Sequence, residues 1–424
     1  MRIFLLLITG ICLSYGVQAQ KPQLLVYGND ALAFGAAVQA ASSGVPTVWV
    51  TTGSIQIGNL NQPGIHQVKD NQHLDAGLWA SFLEHIAGKS NLSDSALNRL
   101  KSHINGQLVQ NAVQGMIDSL QNLHHLKQID ISNIQQNGKK WKVQFSNNTQ
   151  VKVLAIVDGS SDGVLSKYLE KDVKATETKM LPLDESLYKN KAYRTSLFPF
   201  DYKGKVYLSP FETTIQPIAN NFFSRQVLHP ELQASVPAQL LTGQVLGAAS
   251  AYGAFFKTSS DAINIRRLQG ELLAFGSTLI PFLDIPREDP HFMPIQRIAA
   301  TGLFQGQVAS DTIQKPLRFE PDKTVSTEDI KVTILALYTR SQIWFQGKNI
   351  ETLSIAQLMD LIKFTALKGN EIDAELKREW SRNFHFRGTY DPENLVNRRQ
   401  AAVILDHFLH PFKVNINKEG DFVY

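Results

Sequence analysis

The clearest pattern of apolar and polar positions lies near the N-terminal end of the chain. Leu24–Tyr27 is a short apolar run, Ala31–Ser43 is an alanine-rich helical stretch closed by Gly44, and Thr47–Thr51 is a second short run rich in β-branched residues. Short continuous apolar runs on both sides of a helix are typical of buried parallel strands. The pattern predicts a strand–helix–strand unit of the kind that opens a dinucleotide-binding domain.

The stretch that follows predicts helices and then a small antiparallel unit. After the polar loop Gly53–Asp70, helical periodicity is followed by period-two alternation with turn residues between the runs. The predicted helices are Gly77–Ala87, Asp94–Gly106 and Leu108–Leu123, and the predicted strands are Lys127–Asn133, Trp141–Phe145 and Gln150–Val157. His124 and His125 are interpreted as a solvated helix end, because adjacent histidines cannot share a helical face and so are poor metal ligands.

An internal repeat marks the C-terminal part. The segment Phe319–Ile334 aligns without gaps on Tyr390–Leu405, and in both an aromatic–acid–proline–acid run leads to a capping residue, Ser326 or Asn397, and an amphipathic helix. Helix pairs of this kind cannot bury their apolar faces alone. The copies are therefore predicted to pack on each other.

Composition narrows the classes of function. The chain has 424 residues, of which 43% are hydrophobic, and a formal net charge of +4. This charge forms no basic stripe interleaved with aromatic residues, so nucleic acid is not an expected partner. No H-E-x-x-H or clustered carboxylate motif indicates a metal site.

The first 19 residues are interpreted as a signal peptide. Arg2 precedes the apolar run Ile3–Leu13, and a small-residue site ends at Ala19. A membrane anchor and lipid attachment at Cys12 are the alternatives, but the apolar run is shorter than a bilayer span and the residues before Cys12 match a lipoprotein signal poorly. The protein is expected to be exported to the periplasm or beyond, without a transmembrane span in the mature chain and without a thiol.

The turn after the first strand keeps only part of the dinucleotide fingerprint. Gly28 is present, but Asp30 stands where a glycine would let a phosphate approach, and Ala33 replaces the third glycine. Thr51 occupies the place of the acid that would bind the ribose. These residues predict a Rossmann-like scaffold with eroded ligand chemistry.

Several motifs in order resemble one flavoprotein family. They are YGNDALAFGAAVQAASSG, IGNLNQPGIHQVKD, a β-hairpin running into VKVLAIVDGSSDGVLSKYL, and TGQVLGAASAYGAFF followed by IRRLQGELLAFGSTL. Together they are similar to the FAD-dependent oxidoreductase family often labelled FAD_oxidored, and the likeness covers about two-thirds of the chain. The tail resembles S-layer-homology-type repeats.

The resemblance implies FAD as the cofactor, bound weakly or no longer bound, because every element that would touch the flavin is altered. No catalytic base is identifiable. A second interpretation of the helix from Thr242 is packing through its small residues. The residues that the resemblance assigns to the cofactor site are Gly28, Asn29, Ala33, Thr51, Gly58, Asn59, Asp158, Gly243, Gln244 and Gly247.

A hydrolase is the competing chemistry. Gly159-Ser160-Ser161-Asp162-Gly163 fits G-x-S-x-G between an apolar strand and a helix, which is the context of a nucleophile elbow. Asp162 would disfavour an oxyanion beside Ser161, and a plain turn is the further alternative.

The expected fold is α/β, an FAD/NAD(P)-binding Rossmann-like domain with a small β insertion, followed by a helical repeat domain. The expected boundaries are 1–19 for the signal peptide, 20–282 for the nucleotide-type domain and 283–424 for the repeats. The expected function is an exported FAD-dependent oxidoreductase-like protein with weakened or lost flavin binding. The alternative is a non-catalytic binding or cell-envelope module. Expected partners are an unknown small molecule and, through the repeats, a component of the cell envelope.

Overall fold

The structure is a computed structural model that describes residues 21–69, 74–169, 180–309 and 316–424. The predicted signal peptide, residues 1–19, lies outside these ranges. Helices in the described ranges are α1 (Ala31–Ser42), α2 (Gly77–Ala87), α3 (Asp94–Lys101), α4 (Gly106–Asp118), α5 (Phe211–Thr214), α6 (Val236–Phe256), α7 (Ile265–Ala274), α8 (Phe292–Thr301), α9 (Thr327–Leu337), α10 (Ser341–Phe345), α11 (Ile355–Ala366), α12 (Glu371–Glu379) and α13 (Arg398–Phe408).

Strands in the same ranges are β1 (Leu24–Tyr27), β2 (Thr47–Thr51), β3 (Ile65–His66), β4 (Ile104–Asn105), β5 (Leu123–Lys127), β6 (Ile131–Asn137), β7 (Lys140–Phe145), β8 (Gln150–Val153), β9 (Ala155–Asp158), β10 (Leu181–Pro182), β11 (Ser196–Tyr202), β12 (Lys205–Pro210), β13 (Pro217–Ala219), β14 (Phe222–Ser224), β15 (Gln307–Val308), β16 (Leu317–Arg318), β17 (Asn415–Ile416) and β18 (Phe422–Val423).

A central parallel sheet organises the N-terminal part. Its strand order is β13-β14-β9-β1-β2-β5, and only β13 runs antiparallel to its neighbour. Leu24 at the start of β1 pairs with Thr47 of β2 on one side and Ala155 of β9 on the other. The predicted β1–α1–β2 unit is confirmed, and with it the Rossmann-like α/β fold class.

The two faces of the sheet are covered by different elements, as the period of two along a strand requires. Leu24 and Val26 of β1 share a core with α1, α2, α4 and α6. Leu25 and Tyr27 face the other way, into a core with the antiparallel sheet β6-β7-β8 and its buried Trp141. This small sheet is the predicted β insertion.

One predicted helix ends earlier in the structure than the sequence pattern indicated. The stretch Leu108–Leu123 was expected to be helical, but α4 ends at Asp118 and residues Leu123–Lys127 form the edge strand β5. His124 and His125 therefore lie in a parallel strand and not at a helix end. Helix α3 is also shorter than predicted, because the chain turns into the two-residue strand β4.

The C-terminal part contains three helix starts of one kind, where the sequence had indicated two. Ser326, Ser354 and Asn397 each form a capping box at the start of α9, α11 and α13. The residues before these caps close a ring of backbone hydrogen bonds. Val325 N donates to Val396 O (3.0 Å), Val396 N to Leu353 O (2.9 Å) and Leu353 N to Val325 O (3.0 Å).

Each helix of this three-membered ring also uses a neighbour's loop. The N–H of Thr327 in α9 donates to Glu351 O, that of Ile355 in α11 to Asn394 O, and that of Arg398 in α13 to Lys323 O. Unpaired N–H groups at a helix start need partners. Since each copy supplies them to another, the three copies form one interlocked unit.

The hydrophobic core of the repeat region extends across residue 282. Ile295, Leu358 and Ile404 from the repeats share one buried cluster with Leu183 and Leu208, which come from the middle of the chain. The boundary between residues 282 and 283 remains a prediction. None of the helices in the described residues is both long and apolar enough to cross a bilayer.

Candidate dinucleotide site

The turn after β1 has the close packing of a dinucleotide-binding turn. Gly28 has φ +131°, and a Cβ built there would lie 3.0 Å from the carbonyl carbon of Gly159. The methyl group of Ala33 fills the space on the other side, 2.8 Å from a Cβ built on Gly159. Glycine is needed at both positions because backbone and helix meet here. Gly28 and Ala33 thus allow β1, β9 and α1 to pack closely together.

Asp30 occupies the start of α1. One carboxylate oxygen accepts a hydrogen bond from the backbone N–H of Ala33 (3.0 Å), and the other accepts one from Nη1 of Arg225 in an ion pair. Nε of Arg225 donates to Gln233 Oε1. The positive end of the helix, where a pyrophosphate would bind, is therefore capped by a carboxylate of the chain itself.

The Asp30–Arg225 pair is partly withdrawn from water. The arginine side chain is 15% exposed and that of the aspartate 24%. Burial lowers the pKa of Arg225 from its usual value, but the guanidinium stays charged at neutral pH. Arg225 was not among the sequence candidates; the one available signal was its place directly after Ser224, the residue that ends β14 behind the apolar pair Phe222-Phe223.

Thr51, at the place of the ribose-binding acid, is closed off from solvent. It is 1% exposed, and its Oγ1 lies 3.0 Å from Nε2 of His125 on β5. The His125 ring stacks on Trp49 with a centroid distance of 4.5 Å. A ribose would have to displace His125 to reach this hydroxyl. The contact was missed from the sequence because β5 was not predicted.

Burial of the His125 ring has a consequence for pH dependence. Burial, aided by the charge of Lys127, lowers the pKa of His125 to about 4. Below about pH 6.5, His125 is protonated in the unfolded chain but stays neutral in the folded chain. The free energy of unfolding should therefore fall as the pH is lowered from 6.5 to 4, by about 1–2 kcal/mol for a partly exposed ring.

A phenylalanine at this position tests the effect. His125→Phe keeps an aromatic ring on Trp49 and removes the titration, so urea unfolding of the variant should lack this part of the acid destabilisation. The matched control is His124→Gln, an exposed neighbour on the same strand, which should follow the wild type. Equal pH profiles for wild type and His125→Phe would contradict the assignment.

The second loop meets the first through Asn29. The Asn29 side chain accepts a hydrogen bond from Thr52 N (3.0 Å) and donates one to Thr52 Oγ1 (3.0 Å). The backbone carbonyl of Asn29 accepts a hydrogen bond from Gln56 N (2.6 Å). Gly58 and Asn59 lie farther along this loop and are exposed. A Cβ on Gly58 would lie 2.6 Å from a methyl group of Val236, at the start of α6. The polar groups of Asn29 thus hydrogen-bond to residues of the loop.

Asp158 holds the loop after β9. It is fully buried; Oδ1 accepts from the N–H and hydroxyl of Ser160, and Oδ2 accepts from Leu165 N (2.9 Å). Burial raises the pKa of Asp158, while the bonds from Ser160 and Leu165 act in the opposite direction. Ser161, the residue a nucleophile elbow would use, is exposed and its hydroxyl donates to Asp162. This arrangement is a hydrogen-bonded turn, with no histidine bonded to Ser161 in the described residues.

The small residues of α6 pack directly on α1. A Cβ on Gly243 would lie 2.2 Å from Leu32 O, and one on Gly247 would lie 2.5 Å from Ala36 O. Facing them, a Cβ on Gly35 would lie 2.6 Å from Leu240 O. Close approach of two helices requires glycine at such positions. Packing through small residues is therefore the role of Gly243 and Gly247 in this structure.

Gln244 joins three helical segments. Its Nε2 donates to Gln39 Oε1 (2.9 Å) on α1, and its Oε1 accepts from Leu78 N (2.9 Å) on α2 and from the hydroxyl of Ser277 (3.3 Å). The side chain is 1% exposed. The resemblance places Gly243, Gln244 and Gly247 near the helix start, where they could face a ligand, with packing through small residues as the other interpretation. Because α6 begins at Val236, they instead lie about two turns inside it and face protein.

These positions do not form a site that fits FAD. The anion-binding helix end carries an ion-paired carboxylate, the ribose position is buried against His125, and the glycines of α6 touch α1. No group of three or more His, Cys, Asp or Glu side chains that could hold a metal ion occurs among the described residues.

Comparison with known proteins adds little to this geometry. No protein-family model matches the chain, and no curated protein matches it.

Among solved structures, a PqsL variant from P. aeruginosa aligns with TM-score 0.33 and 11% identity over 67% of this chain and 96% of that one. Bacillithiol disulfide reductase Bdr from Staphylococcus aureus has TM-score 0.24 and 10% identity over 34% of this chain and 39% of its own. The p-nitrophenol 4-monooxygenase PnpA from Pseudomonas putida has TM-score 0.26 and 8% identity over 38% and 46%. The chain thus spans less than half of the last two proteins. The fold assignment rests on the strand order and register of the central sheet.

Proposed function

We propose that this protein is an exported FAD-dependent oxidoreductase-like protein with weakened or lost flavin binding. The ion pair of Asp30 with Arg225 at the start of α1 is the observation that supports the proposal. A phosphate there would meet a carboxylate that already accepts the N–H of Ala33 at the helix start. The buried contact of Thr51 with His125 acts in the same direction.

Purification and titration test the loss of flavin binding. The wild-type protein should be colourless, and saturating FAD should not raise its melting temperature, because a ligand stabilises only a fold that binds it. Calorimetric titration with FAD should show no heat of binding at protein concentrations of about 50 μM. A yellow protein with stoichiometric flavin would overturn the proposal and favour an active oxidoreductase.

The alternative function is a non-catalytic binding or cell-envelope module. It is favoured by the interlocked repeats, which form a unit beyond what a nucleotide domain needs. We propose that the S-layer-homology-like repeats contact a component of the cell envelope. Sedimentation of the purified protein with isolated envelopes should deplete it from the supernatant, and full recovery in the supernatant would refute this partner.

Export is the remaining part of the proposal. Intact-mass analysis of material recovered from producing cells should give a chain beginning at Gln20 or Lys21, because Ala19 satisfies the small-residue rule for cleavage. A chain that retains residues 1–19, or one lipidated at Cys12, would refute signal-peptide cleavage.

A further inference from the structure

A cleft lies between α2, α7 and α8, away from the turn that contains Asp30. It has a volume of about 470 Å³, within the range of small-molecule sites. Its lining includes Ser81, Glu84, Ala274, Phe275, Arg287, Glu288, Phe292 and Met293. We call this space the α2–α8 cleft.

The lining of the α2–α8 cleft contains both apolar and charged side chains. Phe275, directly after α7, and Phe292 and Met293 of α8 supply aromatic and thioether surface. Glu84 and Glu288 supply carboxylates. A ligand that fills the cleft needs an apolar body and a polar end.

The charged side chains of the lining, Glu84, Glu288 and Arg287, have a net negative charge. The guanidinium of Arg287 is shared between Glu84, at 3.4 Å, and Asp94, at 3.8 Å. Glu288 is exposed and has no ion-pair partner within the described residues. The nearby ammonium of Lys101 is engaged with Asp75 at 2.6 Å. Two carboxylates therefore share one guanidinium, and the third, Glu288, adds a further negative charge.

The crowding of these carboxylates affects their protonation. Burial raises the pKa of Asp94, and the charge of Glu288 raises it further, against the opposing effect of Arg287. A cation placed in the cleft would reduce this repulsion, and a second anion would increase it. The sign of the expected ligand follows from this balance.

The α2–α8 cleft is separate from the dinucleotide-type turn. Gly77 lines the cleft, and a Cβ built on Gly77 would lie 2.3 Å from Gln244 Oε1. The side chain of Gln244 in turn donates a hydrogen bond to Gln39 on α1. Gln39 lies nine residues along α1 from Asp30, or about 13 Å at the rise of an α-helix. A ligand in the cleft therefore does not need the site that Asp30 fills.

We propose that the α2–α8 cleft binds an organic cation, an ammonium group attached to an apolar or aromatic body. The ammonium lies between Glu84 and Glu288, where the hydroxyl of Ser81 can accept a further hydrogen bond. The body lies against Phe275, Phe292 and Met293, and the aromatic faces of the two phenylalanines also attract a cation. The binding involves no covalent step.

Three probes with the same phenethyl body and different charge test the proposal. Phenethylammonium should bind at least 10-fold more tightly than neutral 2-phenylethanol, and 3-phenylpropanoate should bind more weakly than either, when measured by titration calorimetry on the full-length protein. The preference should weaken as salt is added, because part of the site is exposed. Equal affinity for the three probes, or no binding of the cation, would overturn the proposal.

Two variants locate the binding. The double substitution Glu84→Gln with Glu288→Gln keeps the acceptor for Leu92 N, to which Glu84 Oε1 bonds at 3.2 Å, and should weaken phenethylammonium binding about 10-fold. Ala274→Trp fills the cleft from an exposed position and should abolish binding, with circular dichroism checking the fold.

The matched control is Glu393→Gln, an exposed carboxylate in the repeats, which should bind phenethylammonium like the wild type. Cation binding that survives both the double substitution and Ala274→Trp would place the ligand elsewhere and refute the α2–α8 cleft. Since the titrations contain no flavin, their outcome is independent of whether FAD binds.

Discussion

Replacing Phe319 by alanine is expected to lower the free energy of unfolding by about 3–5 kcal/mol, the range for a large core side chain. The ring is completely buried and packs against Phe282 and Phe304, at centroid distances of 5.3 and 6.2 Å. The guanidinium of Arg398, itself 1% exposed, lies 4.9 Å from the ring centroid. Removing the Phe319 ring therefore leaves a cavity, and the buried guanidinium of Arg398 then borders that cavity.

The equivalent position in the last copy supplies the comparison. Tyr390 is only partly buried, with Trp380 at a centroid distance of 5.3 Å, so Tyr390→Ala should cost about 1–2 kcal/mol. The sequence repeat alone would predict equal costs at both positions. Urea unfolding of the full chain at equal m-value measures the difference. A Phe319→Ala variant as stable as wild type would refute the core position of this ring.

Asp30→Gly is expected to raise the affinity for ADP about 100-fold over the wild type. The substitution removes a carboxylate from the helix end and leaves the guanidinium of Arg225 beside unpaired N–H groups. A charge-assisted phosphate contact then replaces a repulsion, which is a change of several kcal/mol in binding. Loss of the cap to glycine costs only a few tenths of a kcal/mol. Calorimetric titration with ADP measures the gain.

Two controls separate charge from space. Asp30→Asn keeps the cap and removes the charge, so it should gain less than Asp30→Gly, and adding Arg225→Gln to Asp30→Gly should cancel the gain. Restoring the ribose acid by Thr51→Glu is expected to destabilise the fold, because this position is 1% exposed and faces His125. An Asp30→Gly variant with no affinity for ADP would show that the Asp30 carboxylate is not what excludes the phosphate.

Local patterns predicted the fold wherever a segment's own residues decide its structure. The unit from Leu24 to Thr51 and the helix Gly77–Ala87 occur as predicted, because each has a distinct period and clear ends. Strand β5 was missed because LHHLK lacks both alternation and β-branched residues, and its pairing with β2 decides its conformation. The middle copy of the repeat was missed because no aromatic–acid–proline run precedes Ser354.

The candidate site was harder to predict than the fold, since its contacts join distant parts of the chain. Asp30 could be identified as an obstacle from its own position in the turn. Its partner Arg225 lies 195 positions away, and His125 lies 74 positions from Thr51. The packing of Gly243 on α1 was an open alternative, because small residues on a helix are compatible with either a ligand or another helix.

The ring of three repeats restricts the order in which this protein can fold during synthesis. Val325 finds its backbone acceptor at Val396 and Arg398 at Lys323, so the first copy cannot be completed until residues up to Arg398 have been synthesised. Until then the helices of the earlier copies expose the apolar faces that the completed ring buries. Dependence on a chaperone during this interval, and sensitivity to loss of even the last copy, follow from the closed connectivity of the ring.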